Sequence, residues 1–227
     1  MEKKEVMQNF EVIRDYQQYD RSFNIVLVGD KKVGKSTIID TLLWKNINEG
    51  YETTKYGNVF NVYTKINDKT FRLCGNETTR EEGVSEKDLN HKFWKNCSLF
   101  ILVYDITSRE TYENIESWLE ELKAYEKEAE IIIVANKSDL DENREVSKEE
   151  AEKKEYDSRV KKLMECSAIS KEDVKKLFYE VSEILYQKDI SDDAEFQERP
   201  KKAIAGLKKE NNIENNREKK CCWCSYW

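Results

Sequence analysis

The segment from Gly29 to Ser36 constrains the fold most, because it places two glycines, three lysines and a serine between two apolar stretches. Its sequence, GDKKVGKS, follows the apolar run FNIVLV and precedes a segment with helical periodicity. A glycine-bearing turn between a buried strand and a helix directs backbone N–H groups at one point, where phosphate can bind. The pattern G-x-x-x-x-G-K-[ST] therefore predicts a phosphate loop, whose candidate ligands are Gly29, Lys31, Lys32, Val33, Gly34, Lys35, Ser36 and Thr37.

Lys35 and Ser36 carry the chemistry of this predicted loop. The lysine that follows the second glycine of this pattern reaches the β and γ phosphates of a nucleotide. The hydroxyl of the next residue can bind Mg²⁺. We therefore expect a catalytic role for Lys35 and a metal-binding role for Ser36.

Short apolar runs alternate with helical periodicity along most of the chain. Buried strands are predicted at about 23–28, 98–104, 131–134 and 163–166, and a hairpin at 59–66 and 70–74. Helices are predicted at about 35–44 and 108–126, as a short charged helix that begins at Ser147, and after Ser170, where apolar residues recur at helical spacing to Leu185. Strands that are apolar on both faces and alternate with helices are typical of parallel sheets covered on two sides. The sequence predicts a three-layer α/β/α P-loop NTPase fold, with a mostly parallel six-stranded sheet and one antiparallel edge hairpin.

The chain divides into one predicted domain and two polar ends. The domain spans about residues 22–188, preceded by an N-terminal extension over 1–21. Residues 189–227 form a charged, Asn-rich tail whose composition does not favour independent folding.

The charge is unevenly distributed. The formal net charge is −7, which argues against nucleic acid as a partner. Residues 199–220 contain eight Lys or Arg and three Glu, so this stretch carries +5 and the first 198 residues carry −12. An acidic body with a basic tail suits binding to an anionic membrane surface.

A second motif, Asn136-Lys137-Ser138-Asp139, follows the apolar strand predicted at 131–134. A carboxylate at the end of such a strand can accept two N–H donors from guanine, which adenine does not offer in the same way. The sequence therefore predicts a guanine nucleotide, with Asn136, Lys137 and Asp139 in its site.

With the Cys166-Ser167-Ala168 motif and the stretch 93–122, these motifs make the sequence resemble the Ras superfamily of small GTPases, and the Rab branch most. The resemblance covers about residues 22–186 and implies a monomeric switch that binds GTP or GDP with Mg²⁺. It implies that Ser167 and Ala168 present backbone to the guanine O6 and that Lys137 packs along the nucleotide. Effectors, exchange factors and GTPase-activating proteins are expected at the switch segments, 47–60 and 75–93.

The resemblance also implies residues in the first switch segment. Counting nineteen residues from Lys35 places a second Mg²⁺ ligand at Thr54, with Thr53 as the alternative if the register slips. Tyr51 falls where the family has a tyrosine that closes over the phosphates. Ile47 falls where an aromatic residue usually packs against guanine.

The family's D-x-x-G-Q motif is assigned to residues 72–76, RLCGN. Gly75 then supplies an N–H to the γ-phosphate, Arg72 replaces the aspartate that supports Mg²⁺, and Asn76 replaces the catalytic glutamine with a side chain one methylene shorter. We therefore expect slow GTP hydrolysis. The missing carboxylate has three candidate replacements: Glu77, Glu81 and Glu82.

Lys31 has two interpretations. It is either a solvated loop lysine or a cation that contacts phosphate and obstructs an incoming arginine finger.

The C-terminus, Cys224-Ser225-Tyr226-Trp227, fits the C-a-a-X pattern, and Cys221 and Cys222 lie just upstream. The resemblance implies prenylation here, although tryptophan as the last residue is atypical and leaves the modified cysteine open. Two lipids, or one lipid with the basic tail, anchor a protein stably. We expect a location on the cytoplasmic face of an intracellular membrane, in exchange with the cytosol; the alternative is an unmodified aromatic tail.

The sequence thus predicts a Rab-like, membrane-associated GTP/GDP switch in vesicle trafficking with slow intrinsic hydrolysis. The alternative of a different class is a nucleotide-binding scaffold that does not hydrolyse GTP. A phosphotransferase is disfavoured, because the motif at 136–139 has no role in one.

Overall fold

The computed structural model describes residues 11–13, 18–43, 59–67, 69–78, 94–154, 156 and 158–198, with backbone alone at 13 and 192–198. The strands in these ranges are β1 (Glu11–Ile13), β2 (Arg21–Val28), β3 (Val59–Ile66), β4 (Lys69–Glu77), β5 (Leu99–Asp105), β6 (Glu130–Asn136) and β7 (Val160–Cys166). The helices are α1 (Lys35–Leu42), α2 (Arg109–Glu113), α3 (Ile115–Tyr125), α4 (Lys148–Lys153) and α5 (Lys171–Glu198), and a 3₁₀ helix spans Ser138–Asn143.

All of these strands form one mixed sheet in the order β1-β3-β4-β2-β5-β6-β7. β2 pairs in parallel with β4 and β5, and β5, β6 and β7 continue in parallel. β3 pairs antiparallel with β1 and β4. The predicted α/β architecture with an antiparallel edge is confirmed, and within the described ranges the sheet contains one strand more than the six predicted.

The extra strand, β1, lies within the predicted N-terminal extension. Its three residues pair with Tyr63 to Lys65 of β3, and Val12 packs against the hydrophobic core. Three residues in a polar context are too few to show the two-residue periodicity of a strand. Only pairing with β3 therefore identifies β1.

A hydrophobic core covers each face of the sheet. The first core contains α1 and α5, which contribute Ile38, Ile39, Leu42, Leu177, Phe178 and Val181. The second contains α2, α3 and α4, which contribute Tyr112, Ile115, Trp118, Leu122 and Ala151. Alternate residues of β2 face the two cores: Ile25 and Leu27 face the first, and Val26 and Val28 the second. The continuous apolar runs of the sequence are explained by this burial on both faces.

The longest described helix, α5, is anchored to the sheet by two ion pairs of one buried carboxylate. The Asp189 carboxylate, 3% exposed, accepts from Arg21 Nε at 2.8 Å and from Lys69 Nζ at 2.5 Å. These contacts join α5 to the start of β2 and to the β3–β4 hairpin. Among the residues that the structure describes, no helix is both long and apolar enough to cross a bilayer.

β4 extends three residues beyond the predicted end of the strand at Cys74. Gly75 lies inside the strand, where it pairs with Ile25 of β2 and Phe60 of β3. A Cβ atom at Gly75 would lie 2.0–2.5 Å from three carbons of the Phe60 ring. The prediction that Gly75 contacts the γ-phosphate is wrong, because this residue forms part of the sheet and leaves space for the Phe60 ring.

The Gly75→Ala variant should lower the free energy of unfolding by about 1–3 kcal/mol, the usual cost of overpacking a core. Urea denaturation measures this cost. Phe60→Leu in the same chain should recover part of it, since the smaller side chain makes room for the new methyl group. Unchanged stability with a selective loss of GTP binding would contradict the structural role.

Candidate functional site

The predicted site residues gather at one edge of the sheet. The loops after β2, β6 and β7 emerge at the same edge, because these strands are parallel. In open α/β sheets, ligands bind in the crevice at the carboxyl ends of the strands. The fold thus places the loop at 29–34 beside the residues at 136–139 and 167–168.

The phosphate loop depends on close backbone approaches at both of its glycines. Gly29 has φ +133° and Gly34 has φ +99°. A Cβ atom would lie 2.2 Å from Val103 O at Gly29 and 2.2 Å from Asn136 Nδ2 at Gly34. Lys32 also has a positive φ, +63°. Gly34 then caps the N-terminus of α1, where unpaired N–H groups favour an anion.

Lys35 is almost fully buried at the start of α1, with 3% of its surface exposed. Its ammonium group donates to Gly29 O at 2.8 Å and to Asp30 O at 2.6 Å. Burial lowers the pKa of Lys35 to about 8, although the carboxylates of Glu77 and Asp30 act in the opposite direction. A phosphate group at the loop would favour the charged ammonium for the same electrostatic reason.

Glu77, the last residue of β4, lies beside the start of α1. The Ser36 hydroxyl donates to Glu77 Oε1 at 2.9 Å, and the Glu77 side chain is 1% exposed. Glu77 pairs with Leu27, whose side chain faces the first core with α1. The structure therefore places Glu77, one of the three carboxylates considered from the sequence, at the predicted metal ligand. Glu81 and Glu82 lie outside the described residues.

The assignment of D-x-x-G-Q to residues 72–76 is wrong in register. Arg72 pairs with Ser22 near the start of β2. It precedes Glu77 by five residues, or about 17 Å along the strand. Its guanidinium donates to Asn61 Oδ1 at 3.2 Å and lies over the Tyr19 ring, at the far end of the strand from the phosphate loop.

Asn76 does not have the position of a catalytic glutamine. It lies inside β4, is 1% exposed, and pairs with Val26, whose side chain faces the second core. Because neighbouring strand residues point to opposite faces, the Asn76 side chain lies on the other side of the sheet from Glu77. It therefore cannot orient a water molecule at the phosphate loop.

The side chain of Asn136 joins the phosphate loop to the base-side loop. Its amide Nδ2 donates to Val33 O at 2.7 Å, and its Oδ1 accepts from Ala168 N at 2.9 Å. The residue is fully buried, so both bonds form away from water. The Ala168 carbonyl in turn accepts from the Thr41 hydroxyl of α1 at 2.5 Å.

Asp139 and Lys137 occupy the rim of the site. The exposed Asp139 accepts from the Ser167 hydroxyl at 2.6 Å through Oδ1. Lys137 has a left-handed backbone, φ +66°, and its ammonium pairs with Asp105 at 2.5 Å. Asp105, which the sequence analysis did not single out, is itself held by the N–H and hydroxyl of Thr107 at 2.9 and 2.7 Å.

The N–H groups of Ser167 and Ala168 already have partners within the protein. Ser167 N donates to Asp173 Oδ2 at 3.1 Å, and Ala168 N donates to Asn136. The predicted contact of this backbone with guanine O6 remains an expectation.

Other predicted residues have a described position without a described contact to the site, or lie outside the described ranges. Lys31 and Lys32 are exposed on the phosphate loop, and Thr37 is half-buried on α1. Outside the described residues lie Ile47, Tyr51, Thr53, Thr54, Cys221, Cys222 and Cys224.

Comparison with known proteins identifies the family. A model of the Ras family matches residues 24–187. The chain belongs to the Ras family of small GTPases. It is 30% identical over 176 residues to the Ras-related protein SEC4 of Candida albicans, covering 77% of this chain and 82% of that protein. It is 31% identical over 186 residues to RABA6b of Arabidopsis thaliana, covering 78% of each. It is 32% identical over 162 residues to Rab-13 of Rattus norvegicus, covering 70% of this chain and 78% of that protein.

Within the Ras family the chain is Rab-like, since these relatives are Rab-type. The resemblance drawn from the motifs is confirmed. The loop at 29–36 is thus the phosphate loop of a GTP-binding protein, and family members are GTP hydrolases.

Proposed function

We propose that this Ras-family protein is a membrane-associated GTP/GDP switch that acts in vesicle trafficking and hydrolyses GTP slowly. One observation carries the nucleotide part of this proposal: the buried Asn136 side chain joins the phosphate loop to the base-side loop. A nucleotide fits this arrangement, because its phosphates would bind at the phosphate loop while its base binds at the base-side loop. The basic residues at 199–220 and the cysteines Cys221, Cys222 and Cys224 support the membrane part.

The base is guanine in this proposal, because the Asp139 carboxylate at the rim of the site can accept hydrogen bonds from two N–H groups that guanine offers and adenine does not offer in the same way. Ser167 holds one of its oxygens, which orients the group toward two N–H donors on a base edge. Lys137, fixed through its ion pair with Asp105, lies two residues before Asp139 in sequence, and in this proposal it packs along the nucleotide.

The Asp139→Ala variant should reduce the preference for GTP over ATP by about 10-fold to 100-fold, since it removes a charge-assisted acceptor. Competition binding to the purified protein measures the preference. Asp141→Ala is the matched control, because Asp141 is exposed on the same 3₁₀ helix and pairs with Arg144 at 2.6 Å. Equal binding of GTP and ATP by the unmodified chain would refute guanine recognition.

The residues at the start of α1 fit a bound Mg²⁺. In the ranges that the structure describes, no three His, Cys, Asp or Glu side chains cluster as a metal site. Mg²⁺ commonly binds one or two protein groups together with substrate phosphates. Here the Ser36 hydroxyl would bind the ion, Glu77 would support it from behind Ser36, and Thr54 is the proposed second ligand. When bound, the ion neutralises charge on the β and γ phosphates.

The Glu77→Gln variant should raise the Mg²⁺ concentration needed to slow GDP release roughly tenfold or more, the usual effect of losing an outer-shell carboxylate. The amide oxygen can still accept the Ser36 hydroxyl, so the loss reports the negative charge. Glu130→Gln, at the opposite end of the sheet, is the control. An unchanged Mg²⁺ requirement in E77Q would restrict Glu77 to a structural role.

The register of β4 determines which residues would make GTP hydrolysis slow. When Glu77 is taken as the first residue of D-x-x-G-Q, the glycine position falls on Arg80 and the glutamine position on Glu81. Both residues lie outside the described ranges. A carboxylate at the glutamine position carries a negative charge near the phosphates and has no amide N–H to stabilise them. Arg80 and Glu81 therefore replace Arg72 and Asn76 as the reason to propose a low rate.

In single-turnover GTP hydrolysis, R80G/E81Q should be faster than the unmodified chain by roughly tenfold or more, because it restores the amide and the glycine of the motif. Asn76→Gln should not be faster, because Asn76 lies on the wrong face of β4. An acceleration by N76Q alone would restore the earlier register. If neither variant hydrolyses GTP, the non-hydrolysing scaffold becomes the better description.

The two switch segments are the proposed binding surfaces for effectors, exchange factors and GTPase-activating proteins. Their described ends, at the start of β3 and at the end of β4, lie at the phosphate end of the site. Exposed Lys31 lies on the same end, where a long cation would obstruct an incoming arginine finger.

A further inference from the structure

Asp30 lies in the phosphate loop, but its side chain is bonded to a different part of the fold. Its Oδ2 accepts from Asn114 Nδ2 at 2.8 Å, and its Oδ1 accepts from Trp118 Nε1 at 2.9 Å. Trp118 belongs to α3 and is 2% exposed, and Asn114 is the residue between α2 and α3. Both carboxylate oxygens are therefore occupied by donors more than eighty residues away in sequence.

The backbone of the same residue holds Lys35. The Asp30 carbonyl accepts from Lys35 Nζ at 2.6 Å, beside the Gly29 carbonyl at 2.8 Å. The peptide at Asp30 lies outside any helix or strand and directly follows Gly29, whose φ is +133°. Its orientation is thus not determined by helix or sheet hydrogen bonds, and the side-chain bonds to α3 supply that constraint.

We infer that Asp30 is a positioning residue, which holds the Lys35 ammonium at the phosphate end of the site by anchoring the loop to Asn114 and Trp118. This inference rests on the proposed nucleotide function. The anchored carboxylate fixes the direction of the Asp30 carbonyl, and the carbonyl fixes the ammonium. This role needs no contact between the Asp30 carboxylate and a phosphate, because both carboxylate oxygens accept from Asn114 and Trp118.

The two bonds from Asn114 and Trp118 to the Asp30 carboxylate form the anchor. If the anchor positions Lys35, its loss should affect some nucleotides more than others. Lys35 reaches the β and γ phosphates, whereas the base and the α phosphate depend on other groups. Loss of the anchor should therefore weaken GDP binding more than GMP binding. A structural defect that loosened the whole site would weaken both nucleotides alike.

The test compares GDP and GMP affinities, by calorimetry, for the full chain and four variants. Asp30→Ala removes both bonds, and Trp118→Phe removes one N–H while keeping an aromatic ring. Trp94→Phe is the matched control, because Trp94 is 1% exposed and its ring lies 6.4 Å from that of Trp118. The fourth variant combines Asp30→Ala with Trp118→Phe.

We expect W118F, which loses one charge-assisted bond, to lower the ratio of GDP to GMP affinity by about tenfold. D30A, which loses both bonds, should lower it at least as much. W94F should leave the ratio unchanged. The double variant should match D30A, because the indole N–H has no further effect once its acceptor is gone.

Two results would overturn the inference. An equal loss of GDP and GMP affinity in D30A and W118F would reduce the anchor to general support, and unchanged affinities for both nucleotides would show that Lys35 does not depend on it. Failure of the unmodified chain to bind GDP is a separate result, which would overturn the proposed function together with the inference.

Discussion

The buried amide of Asn136 is the contact on which the geometry of the site depends most. It reaches from the end of β6 to the Val33 carbonyl of the phosphate loop and to the Ala168 N–H after β7. The Val33 carbonyl and the Ala168 N–H both lie outside helices and strands, in buried residues. Each forms its hydrogen bond with the Asn136 side-chain amide. An unsatisfied buried polar group costs about 1–3 kcal/mol, so the loops are stable in this arrangement only together. Gly34 is required by the same contact, because a Cβ atom there would collide with the amide.

The phosphate end of the site depends on the length of β4. Because the strand extends to Glu77, a carboxylate lies beside Ser36 and the motif expected at residues 72–76 forms part of the sheet. This register makes Gly75 a packing residue under Phe60 and Asn76 a buried residue of the opposite face. The Ras-family resemblance did not reveal this, since residues 72–76 and residues 77–81 both depart from the family motif.

Lys35 connects these features. Its ammonium is buried against two loop carbonyls, and burial lowers its pKa to about 8. Asp30 holds one of those carbonyls through its bonds to α3, and Glu77 contributes negative charge from β4. The cation that meets the phosphates is thus positioned by residues from three separate parts of the chain.

The sequence by itself determined the features that depend on local pattern. The phosphate loop, the guanine motif and the alternation of buried strands with helices are each readable within a few residues, because periodicity and glycine spacing are local properties. The tertiary structure alone decided which residues meet across the fold. β1 exists as a strand only because β3 pairs with it, and Asp30 has its role only because Trp118 lies opposite. Glu77 rather than Arg72 faces Ser36, because strand register is set by pairing and packing with β2 and β3 rather than by the strand's own residues.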